Sequence, residues 1–226
     1  MSARTARLGL RRRQLMLSGA ALALAGAARP TRAEPDDGYA KHVRSFLEIR
    51  QERVVLQEWD LSCGAASLAT ILAFQHGDPI PERDIAMAML RATDTELVKQ
   101  RLGFSLLDLK RFLESRGYVG DGYGDVSLAD LVDLAPAIVP IRIYDYDHFV
   151  IFRGLAAGRA VLADSAYGNR TMLAGRFLDV WRGQIAFVVR RPDQPPHENL
   201  LALQDADLLV VPPEVVRAAM HRTVKN

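Results

Sequence analysis

The stretch Gln57-Glu58-Trp59-Asp60-Leu61-Ser62-Cys63-Gly64-Ala65-Ala66-Ser67 holds the only cysteine of the 226-residue chain. His148 lies far downstream in the strand-like run Tyr146-Asp147-His148-Phe149-Val150-Ile151-Phe152. Asp164 follows sixteen residues later, after Ala160-Val161-Leu162-Ala163. A thiol, an imidazole and a carboxylate in that order are the parts of a cysteine nucleophile and its support. The attacking species is a thiolate, and a free thiol near neutral pH is mostly protonated. An imidazole within reach can take that proton, and a carboxylate behind the ring fixes its tautomer and orientation. Gln57 stands six residues before the thiol. Its amide, brought round by a short loop, can donate a hydrogen bond to a developing oxyanion, as can a backbone N–H beside the cysteine.

Local sequence favours such a thiol. Ser62 reads as the N-cap of a helix from Cys63 to about Gln75, with Leu68, Ile71, Leu72 and Gln75 at helical spacing toward a core. A thiolate in the first turn gains from the positive end of the helix dipole. Gly64, Ala65 and Ala66 are small, which predicts close approach of a substrate at this point. Each residue alone also has a structural reading. A lone cysteine can be an inert buried hydrophobe, a histidine in a strand a satisfied core residue, and an aspartate before Gly168 the start of a turn. Order, spacing and local context together favour catalysis.

With these residues in place, the chain resembles the C39 peptidase family, over roughly Val54 to Arg190. The family's motif of a Gln six residues before Cys-Gly-x-Ala is matched by Gln57 and Cys63-Gly64-Ala65-Ala66. Its His-Phe-Val-Val-type strand is matched by His148-Phe149-Val150-Ile151, and its third residue, opening a turn, by Asp164 to Gly168. Gly103-Phe104-Ser105 before a short helix also resembles the family. Ser62 stands where the family usually has Asp, and Ser165 where it has Pro. The chain also lacks the membrane domain and ATPase of the exporter-linked members. The resemblance implies an α+β, papain-like fold with N-terminal helices packed on an antiparallel sheet. It implies Cys63, His148 and Asp164 as a triad with Gln57 as oxyanion donor, and cleavage of an extended peptide or protein after small residues such as Gly-Gly. Stand-alone exported members of this kind accompany secretion systems, including functional-amyloid export. Two other readings stay open: a non-hydrolytic C39-like peptide-binding module, and an accessory of an outer-membrane secretion apparatus.

The first 33 residues read as a signal peptide. Arg4, Arg7, Arg11, Arg12 and Arg13 precede the apolar run from Leu15 to Ala28, and Thr31-Arg32-Ala33 resembles a small-x-small cleavage site. Arg12-Arg13-Gln14-Leu15-Met16 resembles a twin-arginine signal. The run is short for a span, so an uncleaved anchor is disfavoured and no transmembrane domain is expected in the mature chain. Cleavage near Ala33 would leave a periplasmic or secreted enzyme. The leader holds seven of the 29 basic residues and no acid, so the remainder carries 22 bases against 27 acids, a net of −5. That charge gives nucleic-acid binding no support. One cysteine cannot form an internal disulfide. No Cys or His pair has metal-ligand spacing, and no cofactor is expected.

Along the rest of the chain, the peptidase domain is expected over 34–191 and a linker and tail over 192–226. Helices are predicted at His42 to Ile49, from Pro81 to Arg91, from Ser105 to about Gly117 through a capping box, and after Ser127. Thr93 to Leu102 reads as a helix or a loop over the site. Strands are predicted at Val54 to Leu56, Tyr118 to Tyr123, Ala137 to Tyr144, His148 to Gly154, Ala160 to Asp164 and Gln184 to Arg190. Gly175 to Trp181 is read as a helix or irregular crossing. Arg191 to Pro196 marks the linker, and an apolar stretch and short helix are predicted in the tail.

Overall fold

The computed structural model describes residues 45–192 and 200–204. The leader reading and the tail's apolar stretch and helix lie outside the described residues. Helix α1 spans Phe46–Arg50, and α2 spans Cys63–His76, one residue beyond the expected end. Helices α3 (Glu82–Ala92), α4 (Thr95–Arg101) and α5 (Leu106–Ser115) follow. Strand β1 (Val119–Tyr123) leads to α6 (Leu128–Asp133). Strands β2 (Ala137–Ile143), β3 (Tyr146–Ala156), β4 (Arg159–Asp164) and β5 (Gly168–Leu173) run consecutively. Helix α7 (Ala174–Val180) and β6 (Ala186–Arg190) complete the order. The six strands form one sheet ordered β1-β6-β2-β3-β4-β5, with every pair antiparallel. The fold is α+β, with α1 to α5 ahead of the sheet and α6 and α7 between its strands.

Alternation along the strands divides the core in two. Ile138, Ile151, Ala163, Phe187 and Val189 bury one face together with α2, α3 and α5. Val139, Ile141, Val150, Phe152 and Leu162 bury the other with Leu131 of α6 and Phe177 and Val180 of α7. Successive strand residues point to opposite faces, so a two-faced core needs apolar residues at both parities. The strand runs here supply them. Helix α2 is the central element: every residue from Cys63 to Leu72 is buried. A helix apolar all round has no solvent stripe and lies inside the molecule.

Several local expectations are corrected. Val54 to Leu56 joins no ladder; Val55 N–H donates instead to Thr70 Oγ1 of α2 at 2.9 Å. Pro81 sits at the N-cap rather than inside α3. Residues 93–102 resolve as helix α4, capped by Asp94, whose side chain accepts from Glu96 N–H. The Ser105–Asp108 capping box forms as expected, and Ser127 caps α6 through another with Asp130. Strand β5 was not foreseen. Gly64, Ala65 and Ala66 do not open a path to substrate. They are buried, and a Cβ on Gly64 would lie 3.1 Å from Leu109 Cδ1 and 3.4 Å from Phe149 Cδ2. Their small size lets α2 sit close to α5 and β3. No helix among the described residues is long and apolar enough to cross a membrane.

Candidate active site

Cys63 is the first residue of α2 and is buried. Ser62 occupies the N-cap, but its hydroxyl makes no cap bond to the helix. It donates to Trp59 O at 2.7 Å and accepts from Trp59 N–H at 3.3 Å. The serine therefore closes the loop ahead of the helix rather than the first turn, and the first-turn N–H groups lack that side-chain partner. Helix α2 is held against β3 by Ser67 Oγ, which donates to Phe149 O at 3.3 Å, and by the Gly64–Phe149 contact.

Sheet register brings the imidazole and carboxylate together. Val150 of β3 pairs with Asp164 of β4. His148, two residues before Val150, shares its face and is the diagonal neighbour of Asp164. His148 Nε2 and Asp164 Oδ1 lie 2.8 Å apart. Nε2 is thereby committed, and Nδ1, which has no hydrogen-bond partner, is left for the thiol. Both residues are buried, Asp164 completely. Ala166 N–H donates to the same Oδ1 at 2.9 Å. Arg170 Nε lies 2.8 Å from Oδ2, off hydrogen-bonding geometry, so that contact is one of charge.

These contacts set the protonation states. Burial alone would lower the His148 pKa, but the hydrogen bond to Asp164, the Cys63 thiol and the charges of both outweigh it and hold it raised at about 9. Cys63 thus lies close enough to act on the ring, though thiol and Nδ1 fall outside strict hydrogen-bond geometry. Burial would raise Asp164, yet the His148 bond, Arg170 and the Ala166 N–H keep it lowered. Tyr146 is raised by burial and then by the charges of Cys63 and Asp60, which places its ring beside the same centre. Its hydroxyl donates to Asp60 O at 2.8 Å, tying the start of β3 to the loop before α2.

Gln57 lies against the carboxylate's turn. Its backbone N–H donates to Ser165 O at 2.8 Å, and its Oε1 accepts from Ser165 Oγ at 2.9 Å. Its Nε2 donates to Trp59 O at 3.1 Å. The loop is also anchored by buried Glu82, whose Oε2 accepts from Glu58 N–H at 3.0 Å. Sequence reasoning missed Ser165, Arg170, Tyr146 and Glu82. Arg170 was discoverable only through the register of β5, which pairs it with Leu162 and puts it diagonally beside Asp164. Among the described residues no cluster of His, Cys, Asp or Glu could hold a metal ion.

Comparison with known proteins places the chain in a family. The Probable functional amyloid protease FapD of Pseudomonas aeruginosa is 38% identical over 150 residues, covering 66% of this chain and 66% of that protein. Its namesake from Pseudomonas fluorescens is 37% identical over 149 residues, covering 66% of this chain and 65% of its own length. The chain thus spans slightly under two thirds of the relatives it matches. The fold is shared with a double glycine motif protease from an AMS/PCAT transporter, solved in complex with the leader peptide: TM-score 0.51, 24% identity, 61% of this chain and 90% of that one. It is shared also with the peptidase domain of Streptococcus ComA, at TM-score 0.51 and 21% identity over 61% of this chain and 96% of that one. The model of the Peptidase C39 family matches residues 51–193, which is most of the described body. The chain belongs to the Peptidase C39 family of cysteine peptidases.

Proposed function

We propose that this protein hydrolyses a peptide bond after small residues such as Gly-Gly in an extended segment of an exported protein, with Cys63 as nucleophile, His148 as acid and base, Asp164 as the orienting carboxylate and Gln57 as oxyanion donor. The observation that carries the reading is the 2.8 Å contact between His148 Nε2 and Asp164 Oδ1, which leaves Nδ1 to the thiol. With its pKa raised to about 9, the imidazole holds a proton at neutral pH, the form that pairs with the attacking thiolate. The thiolate sulfur bonds to the scissile carbonyl carbon, and the carbonyl oxygen takes the negative charge. Gln57 and a first-turn N–H of α2 stabilise that oxyanion. Collapse breaks the C–N bond, and His148 gives its proton to the leaving amine. Water, losing a proton to His148, then cleaves the thioester and releases the acid.

Small residues before the bond are suggested by the double glycine neighbour, and a role in functional-amyloid export by the FapD relatives. Action after export, in the periplasm or outside the cell, rests on the arginine-rich and apolar pattern of residues 1–33. The test is turnover of internally quenched peptides bearing Gly-Gly. Cys63→Ser and His148→Ala are each expected to abolish it. A wild-type protein that binds such peptides without cleaving them would make this a binding module instead.

A further inference from the structure

Ser165 follows Asp164 directly and is 2% exposed. Its hydroxyl and carbonyl both engage Gln57, the one through Oε1 and the other through the backbone N–H. The far side of the amide meets Trp59 O, which also accepts from Ser62 Oγ at 2.7 Å and Ser62 N–H at 3.2 Å. A carbonyl only accepts, so the amide nitrogen must be the atom that faces Trp59. Oε1 then faces the Ser165 hydroxyl, and a flipped amide would set oxygen against oxygen. One amide hydrogen is spent on Trp59, and the second is fixed in direction by the two contacts.

We propose that Ser165 is a positioning residue for the oxyanion donor: it locks the Gln57 amide so that the remaining N–H is aimed before substrate arrives. The proposal rests on the peptidase reading above. A free glutamine side chain loses rotamer freedom when it meets the oxyanion, and that loss subtracts from transition-state stabilisation. A donor already held in place avoids the loss. The two-residue step Asp164-Ser165 thus serves both halves of the site, one side chain orienting the imidazole and the other the amide.

The experiment compares the full chain with Ser165→Ala, Gln57→Ala and the double variant on a quenched Gly-Gly peptide. Ser165→Ala removes one oxygen and leaves the backbone bond to Gln57, so iodoacetamide should alkylate Cys63 at the wild-type rate. The expected result is a kcat lowered about tenfold with KM within about twofold. In the Gln57→Ala background the same change should cost less than about twofold, because its effect runs through the amide. The alkaline limb of the pH profile should stay in place. A wild-type kcat in Ser165→Ala, a full additional loss in the double variant, or a shifted alkaline limb (action through Asp164) would each overturn the proposal. Any of these with an active wild type removes this proposal alone; a wild type without turnover removes the peptidase reading as well.

Discussion

At the scale of single residues, the His148–Asp164 pair sets the pH behaviour. His148 is raised from 6.5 to about 9, so its contribution to stability is complete below 6.5 and is lost as pH rises through about 9. Asp164 is lowered from 3.8, so its contribution is present above 3.8 and is lost as pH falls through the lowered value. Stability from this pair should therefore be flat from about pH 5 to 6.5 and decline toward both extremes. Urea midpoints across that range check it, and a midpoint still climbing between pH 7 and 9 would contradict it. Turnover adds a sharper readout. His148 must be protonated to release the amine, so kcat/KM should fall as pH passes about 9. Asp164→Asn keeps an oxygen that can accept from Nε2–H but removes the carboxylate charge that helps raise the ring, so this limb should move toward lower pH while residual activity persists. The candidate side chains could be singled out because each stands in a motif, and the structure joins His148 to Asp164 and sets Gln57 against Ser165. Their holders could not be singled out. A serine such as Ser165 or an arginine such as Arg170 is distinguished only by what the fold puts beside it.

At the scale of elements, long or capped segments were readable and short edge pieces were not. Helix α2 announces itself by spacing, and α5 and α6 by their capping boxes. Strand β5, Gly168–Leu173, offers a mixed run with no apolar alternation, as an edge strand with one exposed flank can. Val54 to Leu56 shows the reverse error: three β-prone residues that form contacts with α2 rather than a ladder. The turn from β4 to β5 depends on Gly168. Its φ is +78°, and a Cβ there would lie 2.3 Å from the backbone oxygen of Arg50. Arg50 also donates a guanidinium N–H to Tyr167 O at 2.6 Å, so α1 is docked on this turn. Gly168→Ala combines a left-handed backbone with a main-chain clash that no side chain can relieve. A loss of about 2 kcal/mol or more is expected in urea unfolding. Activity should fall further than stability alone explains, since the turn carries Asp164. A variant with wild-type midpoint and kcat would show that α1 is not fixed there.

At the scale of the whole molecule, the described chain after the proposed linker is part of the body. Leu201 is completely buried, and its N–H donates to Gln75 Oε1 of α2 at 3.3 Å. Arg153, at the bulge in β3, is buried to 1% exposure. It donates from Nε to Leu201 O at 2.8 Å, from a terminal nitrogen to Ala202 O at 3.2 Å, and from the other to Asn169 Oδ1 at 3.2 Å. Asn169 Nδ2 in turn donates to Glu52 O at 2.6 Å. Leu201 and Ala202 are thus linked through one buried guanidinium to β5 and, through Asn169, to the segment after α1. The sequence hid this because Pro192 to Pro196 reads as a break and Leu200-Leu201 is too short to show a period. Leu201→Ala should cost about 2–4 kcal/mol, the range for an aliphatic side chain lost from a packed site. Ending the chain at Pro192 should cost more, because each acceptor lost by a buried charged donor is worth about 1.5–3 kcal/mol. Equilibrium unfolding of the two variants checks the order. If truncation left the midpoint at the wild-type value, residues 200–202 would be a passive surface strip, and the Arg153 charge would have to be satisfied without them.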